Sequence, residues 1–309
     1  MMDLKGKDVL STSGFVRDDV EGIMGVAAKF LPVAKKEQTS DVLAGKVLAA
    51  LFYEPSTRTR LSFETAMIRL GGRVITVVGV DSSSLSKGET LADTGKIIAN
   101  YADVIAMRHS QKGSVGEVAA AADVPVINGG DGTGEHPTQA LLDVFTILQE
   151  KQKVDGLTVA LVGDLLNGRT VHSLSYLLSL FKVNLILVSP EKLKMPSYVT
   201  DMLKSRNVAF AETESLEEAL KNAQVVYSTR VQKERFDDAA EYEKYKHYYI
   251  LTRELIEKYN KDLTVMHPLP RVGEISEDVD DLPGAAYFRQ ARNGVAVRMA
   301  LLAMVLGKA

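Results

Sequence analysis

The sequence contains no cysteine among its 309 residues, which excludes disulfides, thiolate metal sites and cysteine nucleophiles. It also lacks a dominant charge. With 37 Lys and Arg against 40 Asp and Glu, a net charge of −3 and a pI near 6.0, nothing in the overall balance draws the chain to nucleic acid or an anionic membrane. Positive sites must then be built locally. No stretch approaches the roughly 20 apolar residues of a membrane span. The opening run Met1-Met2-Asp3-Leu4-Lys5-Gly6-Lys7-Asp8-Val9-Leu10 lacks the continuous apolar centre of a signal peptide, and the expected location is the cytoplasm. Repeats of fixed period and low-complexity tracts are missing. So is the G-x-G-x-x-G spacing of a dinucleotide site, although Gly163 and Gly168 follow a strand-like run.

What is present points to two domains. The length suits about two, each able to bury its own core, and 46% hydrophobic with 25% charged residues is ordinary globular composition. The most informative stretch is Phe52-Tyr53-Glu54-Pro55-Ser56-Thr57-Arg58-Thr59-Arg60-Leu61-Ser62-Phe63-Glu64. Before it, Lys46 to Phe52 is an apolar run of strand length; after it, Phe63, Met67 and Leu70 recur at helical spacing until Gly71-Gly72. The motif is therefore expected at a strand-to-helix turn. The first backbone N–H groups of a helix have no intrahelical partner and carry the positive end of its dipole, so an anion is held there by main chain and side chains together. Ser56, Thr57 and Thr59 add donors, and Arg58 adds a planar charged fork. An ordinary cap needs a single hydroxyl.

The rest of the chain alternates. The spacing predicts a helix from Val16 to Phe30, with Pro32 beyond its end, a second buried strand from Val74 to Val78, and a mobile serine-rich loop from Asp81 to Thr90 that holds Lys87. A helix around Leu91 to Tyr101, a strand from Val104 to Met107 ending in Arg108-His109, a helix around Val115 to Ala122 and a strand from Val124 to Ile127 follow. A glycine-rich turn at Gly129 to Gly134 then leads to His136-Pro137-Thr138-Gln139, which opens a helix through Leu148. A charged stretch near residues 149–153 closes a first domain of 1–150, which the helix at 291–309 completes; the second domain is 151–290. In it, strands are expected from Leu157, Asn184, Val208, Gln224 and Leu263, and Ser215-Leu216-Glu217-Glu218 reads as a capping box. Tyr242, Tyr245, Tyr248 and Tyr249 read as a packed helix face. Strands alternating with helices predict parallel βαβ units, and the polar motifs fall just after strands, where such sheets bind ligands.

Taken together, Tyr53 to Arg60, Lys87-Gly88-Glu89-Thr90, Met107-Arg108-His109, His136-Pro137-Thr138-Gln139, Gly168-Arg169-Thr170-Val171-His172-Ser173, Thr229-Arg230-Val231-Gln232 and His267-Pro268-Leu269-Pro270 resemble the carbamoyltransferase family. Within it they are most similar to the aspartate carbamoyltransferases. The ornithine enzymes share the first signature, but their late motif usually contains a cysteine where this chain has His267-Pro268-Leu269-Pro270.

The resemblance implies an α/β fold of two doubly wound parallel-sheet domains with the active site in the cleft between them. It implies that Ser56, Thr57, Arg58, Thr59 and Arg108 hold the phosphate of carbamoyl phosphate, and that Thr59, Arg108 and His136 donate to its carbonyl oxygen. Gln139 and the carbonyls of Pro268 and Leu269 would bind its amide. Arg169, Arg230 and Gln232 would bind aspartate, whose two carboxylates call for guanidinium forks. Ser84 and Lys87 would reach into the site of a neighbouring subunit in a homotrimer, and Glu54 with Arg235 would clamp the domains on closure. Neither a metal nor another cofactor is implied. Whether separate regulatory chains bind is left open, as are transfer to another amine and a binding protein without turnover.

Overall fold

The computed structural model describes residues 3–236 and 238–309. It divides into two compact units: one takes the chain up to Phe145 and again from Ala291 to Ala309, the other takes Thr146 to Gln290. In the first unit the elements are α1 (Arg17–Ala34), β1 (Val47–Phe52), α2 (Thr57–Arg69), β2 (Arg73–Val78), α3 (Leu91–Ala99), β3 (Val104–His109), α4 (Ser114–Ala121), β4 (Val126–Asp131) and the start of α5 (Pro137–Lys151). All strand pairs are parallel, in the order β2-β1-β3-β4. The chain therefore adds β2 on one side of β1, then crosses to add β3 on the other. The gap between the β1 and β3 loops is a switch point, the place where open parallel sheets leave room for a ligand.

The second unit repeats the scheme with β5 (Thr158–Gly163), α6 (Arg169–Leu178), β6 (Asn184–Val188), α7 (Ser197–Ser205), β7 (Ala209–Thr213), α8 (Leu216–Asn222), β8 (Val225–Thr229), α9 (Ala239–Tyr245), α10 (Arg253–Tyr259) and β9 (Thr264–Met266), before α11 (Tyr287–Val305). Its sheet is also all parallel, in the order β7-β6-β5-β8-β9, so the switch lies between β5 and β8. Near-continuous apolar strands fill each core: Ala49, Leu51, Ile105 and Met107 in the first unit, Ala160, Val162, Val226 and Val265 in the second. Such runs are what a sheet covered on both faces requires. Gly163 ends β5 with φ near +123°, where a Cβ would lie 2.2 Å from the Thr229 carbonyl oxygen, so the switch-point backbones can only approach without a side chain.

Several expectations change. β2 is not a buried strand: Arg73, Ile75, Thr76 and Val78 are exposed, because β2 is the edge of its sheet. A β-branched run has the same composition on an edge as in a centre. The expected turn at Gly129-Gly130-Asp131 belongs instead to β4, whose pairing with β3 shifts register between Met107 and His109. Pro32 lies inside α1, whose last turn continues to Ala34. The serine-rich loop carries a short 3-10 turn from Ser84 to Lys87. Of the expected tyrosine face, Tyr242 and Tyr245 lie on α9 and Tyr248 and Tyr249 beyond it, and neighbouring rings stack 4.9–6.3 Å apart from Phe236 to Tyr249. Among the described residues, no helix is long and apolar enough to cross a membrane.

Candidate active site

Ser56 occupies the N-cap of α2, yet its side chain makes no capping hydrogen bond. Thr57 and Arg58 follow it in the exposed first turn, and Thr59 turns inward. No acidic residue stands in the first turn of α2, α5 or α6, whereas α1, α8 and α10 carry Asp or Glu there. The positive dipole ends of those three helices are thus left for an incoming anion. Partial burial lowers the Arg58 guanidinium without discharging it at neutral pH.

Arg108, the penultimate residue of β3, lies directly beside Phe52 of β1, and the Tyr53 N–H donates to its carbonyl at 2.9 Å. Its Nε lies 2.9 Å from the Glu54 carboxylate, and Nη1 donates to the Gly129 carbonyl at 3.4 Å. Gly129 is a point of close approach: a Cβ there would meet the Met107 carbonyl at 3.2 Å and the Thr59 methyl at 3.5 Å. The α2 start, the β3 end and β4 therefore converge at the first switch point, bringing both Thr59 and Arg108 to Gly129.

His136, 4% exposed, opens α5 by accepting the N–H of Gln139 at 3.0 Å and of Ala140 at 3.2 Å. Gln139 donates Nε2 to buried Asp143 at 2.8 Å. Beside His136, Glu135 accepts the Thr12 N–H at 2.7 Å and the hydroxyls of Ser11 and Thr12, which fastens the N-terminal segment to the α5 entry.

In the second unit the organising residue is Asp164, fully buried at the end of β5. Burial pushes its carboxyl up, with hydrogen bonds from Asn167 and Gln232 opposing. It accepts the Asn167 N–H at 3.0 Å and the Gln232 N–H at 3.2 Å, and Gln232 Nε2 donates to the Asn167 carbonyl at 2.8 Å. The loops after β5 and β8 are thus sewn together, and they carry Arg169, the first residue of α6, and Arg230. Arg230 is bound end-on by Glu234 through both terminal nitrogens, one of them at 3.1 Å.

Pro268 and Leu269, assigned with the carbamoyl phosphate residues, lie in this second unit after β9. The Leu269 N–H donates to His267 Nδ1 at 2.8 Å, so the imidazole is the neutral Nε2–H tautomer, and Nε2 sits 2.6 Å from the Glu274 carboxylate. Ser84 and Lys87 are exposed on their 3-10 turn, beyond the edge strand. Arg235 ends an exposed 3-10 turn, Lys233–Arg235. Asp143, Asp164, Glu234, Glu274 and Arg298 enter the site only from the structure. Two could have been read from spacing, since Asp143 stands four residues after Gln139 and Glu234 four after Arg230. Glu274 and Arg298 have no local signal.

Comparison with known proteins settles the family. The model of the carbamoyl-P binding domain of aspartate/ornithine carbamoyltransferases matches residues 7–149, and that of their Asp/Orn binding domain matches residues 155–305. The chain belongs to the aspartate/ornithine carbamoyltransferase family. Among similar carbamoyltransferases, the aspartate carbamoyltransferase catalytic subunit of Methanococcoides burtonii is 48% identical over 306 residues, covering 99% of each chain. The solved catalytic subunit of M. jannaschii aspartate transcarbamoylase is 48% identical with a TM-score of 0.92, covering 97% of this chain and 98% of that one. Aspartate transcarbamoylase from Trypanosoma cruzi, solved in complex with carbamoyl phosphate and aspartate, is 42% identical with a TM-score of 0.92 over 98% of both chains.

Proposed function

We infer that this chain transfers the carbamoyl group of carbamoyl phosphate to the amine of L-aspartate, giving N-carbamoyl-L-aspartate and phosphate, an early step of de novo pyrimidine biosynthesis. The observation that carries this reading is that each unit gathers polar side chains at its own switch point. In the first, Thr59 and Arg108 both approach Gly129 beside the α2 start; in the second, Asp164 and Gln232 join the loops that carry Arg169 and Arg230. The first set suits a phosphate and a carbonyl oxygen, the second an amino acid with two carboxylates.

The reaction forms an N–C bond, breaks the C–O bond to phosphate and releases the amine proton. Ser56, Thr57, Arg58, Thr59 and Arg108 hold the phosphate. Thr59, Arg108 and His136 donate to the carbonyl oxygen as it gains charge in the tetrahedral intermediate, where each donor contributes on the order of several kcal/mol. Gln139 and the carbonyls of Pro268 and Leu269 accept from the carbamoyl amide. Arg169, Arg230 and Gln232 bind aspartate. The work is positioning and electrostatics, with residues 1–150 and 291–309 serving carbamoyl phosphate and 151–290 serving aspartate.

Ser84 and Lys87 act on the site of a neighbouring copy in a homotrimer. Their exposure beyond an edge strand that presents Ile75 and Val78 supports that reading. Glu54 exchanges Arg108 for Arg235 when the units close on substrate. The protein works in the cytoplasm.

The test is carbamoyl transfer to a panel of amines by the wild-type protein and by Arg230→Ala. Carbamoylaspartate should be the product, and the variant should lose about a hundredfold in kcat/KM for aspartate. Turnover with ornithine or putrescine instead would overturn the reading of the second unit.

A further inference from the structure

Gln139 ends in an amide whose oxygen accepts and whose nitrogen donates, two ends of nearly the same shape. A glutamine free to turn over would meet a donor or an acceptor equally well. Here Nε2 donates to Asp143 at 2.8 Å, and both residues are buried in the first unit. A carboxylate only accepts, so the nitrogen end is held toward Asp143 and Oε1 is left facing the other way.

The carboxylate itself needs a counter-charge, because an isolated buried charge is strongly disfavoured. Arg298 of α11, 3% exposed, is a buried cation whose charge and that of Asp143 act on each other. Burial pushes its guanidinium down to about 10, with the Asp143 charge opposing, and it stays protonated at neutral pH. Arg298 also donates to the Thr138 hydroxyl at 3.2 Å and lies 5.0 Å from the centre of the Phe63 ring. Thr138 precedes Gln139 on α5, and Phe63 is on α2, so one buried cation joins the helix of the phosphate motif to the helix of the amide acceptor. Room for it comes from Gly294, where a Cβ would meet Arg298 Nη1 at 2.7 Å.

We propose that Asp143 is a specificity-determining positioning residue: it locks Gln139 with its oxygen toward the substrate, so that the site prefers an acyl phosphate bearing an NH2 group over one bearing a methyl group. This rests on the function inferred above, in which Gln139 meets the carbamoyl amide. A buried acceptor that an NH2 satisfies and a CH3 leaves unpaired rejects the methyl analogue.

The test compares carbamoyl phosphate with acetyl phosphate, by calorimetric affinity and by competition in the transfer assay, on the full chain. In Asp143→Asn and in the smaller Asp143→Ser the partner can face either end of the Gln139 amide. The preference for carbamoyl phosphate should fall about tenfold, roughly the worth of one hydrogen bond, while acetyl phosphate affinity changes little. Starting from Gln139→Leu, adding Asp143→Ser should change the preference no further. A folded Asp143 variant with wild-type preference would overturn the assignment while leaving the transferase reading intact. Wild-type protein with no preference and no transfer to aspartate would overturn both.

Discussion

The two units meet their ligands from opposite starting conditions. In the first, part of the set expected to touch carbamoyl phosphate is held in the interior: Thr59 and His136 are themselves buried and Gln139 is fixed by buried Asp143, while Thr57 and Arg58 stand exposed. In the second, Arg230 is held by Glu234, a neighbour that is 53% exposed in the same loop. Asp164 and the His267–Glu274 pair, unlike that exposed pair, are buried in the unit. The phosphate half thus has buried support for part of its set, whereas Arg230 of the aspartate half is oriented by an exposed local ion pair. Preorganised donors stabilise a developing charge without reorganisation, whereas an exposed pair holds its members weakly.

That contrast can be broken in order of effect. The largest effect should come from the phosphate half. Arg58→Ala and Lys87→Ala should each lose on the order of a thousandfold in kcat/KM. If sites are shared, mixed oligomers of the two inactive chains should recover part of the wild-type rate, because some sites then contain neither substitution; verified mixed oligomers without recovery would count against sharing.

An intermediate effect should come from Glu274→Ala, which leaves His267 Nε2–H buried without its acceptor. Urea denaturation at neutral pH should show a loss of about 2–3 kcal/mol. Burial pushes the Glu274 carboxyl up, but hydrogen bonds from His267 and the Val272 N–H pull it further down, to a net position below its ordinary value. The folded carboxylate thus gives up its proton more readily than the unfolded one. Its stabilisation is complete above about pH 5 and fades as pH falls through the lowered value, so the gap between wild type and variant should narrow on acidification. A gap that widens in acid would reject this account.

The smallest effect should be Glu234→Gln, a change to an exposed pair. KM for aspartate should rise about two- to fivefold, with KM for carbamoyl phosphate unmoved. A larger loss here than from Arg58→Ala would invert the comparison.

Much of this is legible in the sequence. The helix face of Val20, Ile23, Met24 and Ala27 is buried as its period requires, and Pro137 stands at the first position of α5. The hydroxyl and guanidinium run at Ser56 to Arg60 falls at the β1-to-α2 turn. What misled was local ambiguity. Val74 to Val78 has the β-branched composition of a central strand but lies on an edge, and the glycines at 129 and 130 read as a turn although both belong to β4 and Gly129 lets it pass close to Met107 and Thr59.

The sequence by itself determined the alternation of strands and helices and the chemistry at the strand ends, because hydrophobic period, caps and turn residues act within a few positions of chain. Strand order was decided only by tertiary structure. Parallel crossovers permit several orders, and burial of whole helices and sheets selects among them. That selection set Arg108 beside Phe52 and Gly163 beside Thr229. It also chose the buried partners, Arg298 from a helix 160 residues beyond Thr138 and Glu274 for His267, since a charge in a core is tolerated only where the fold brings it a mate.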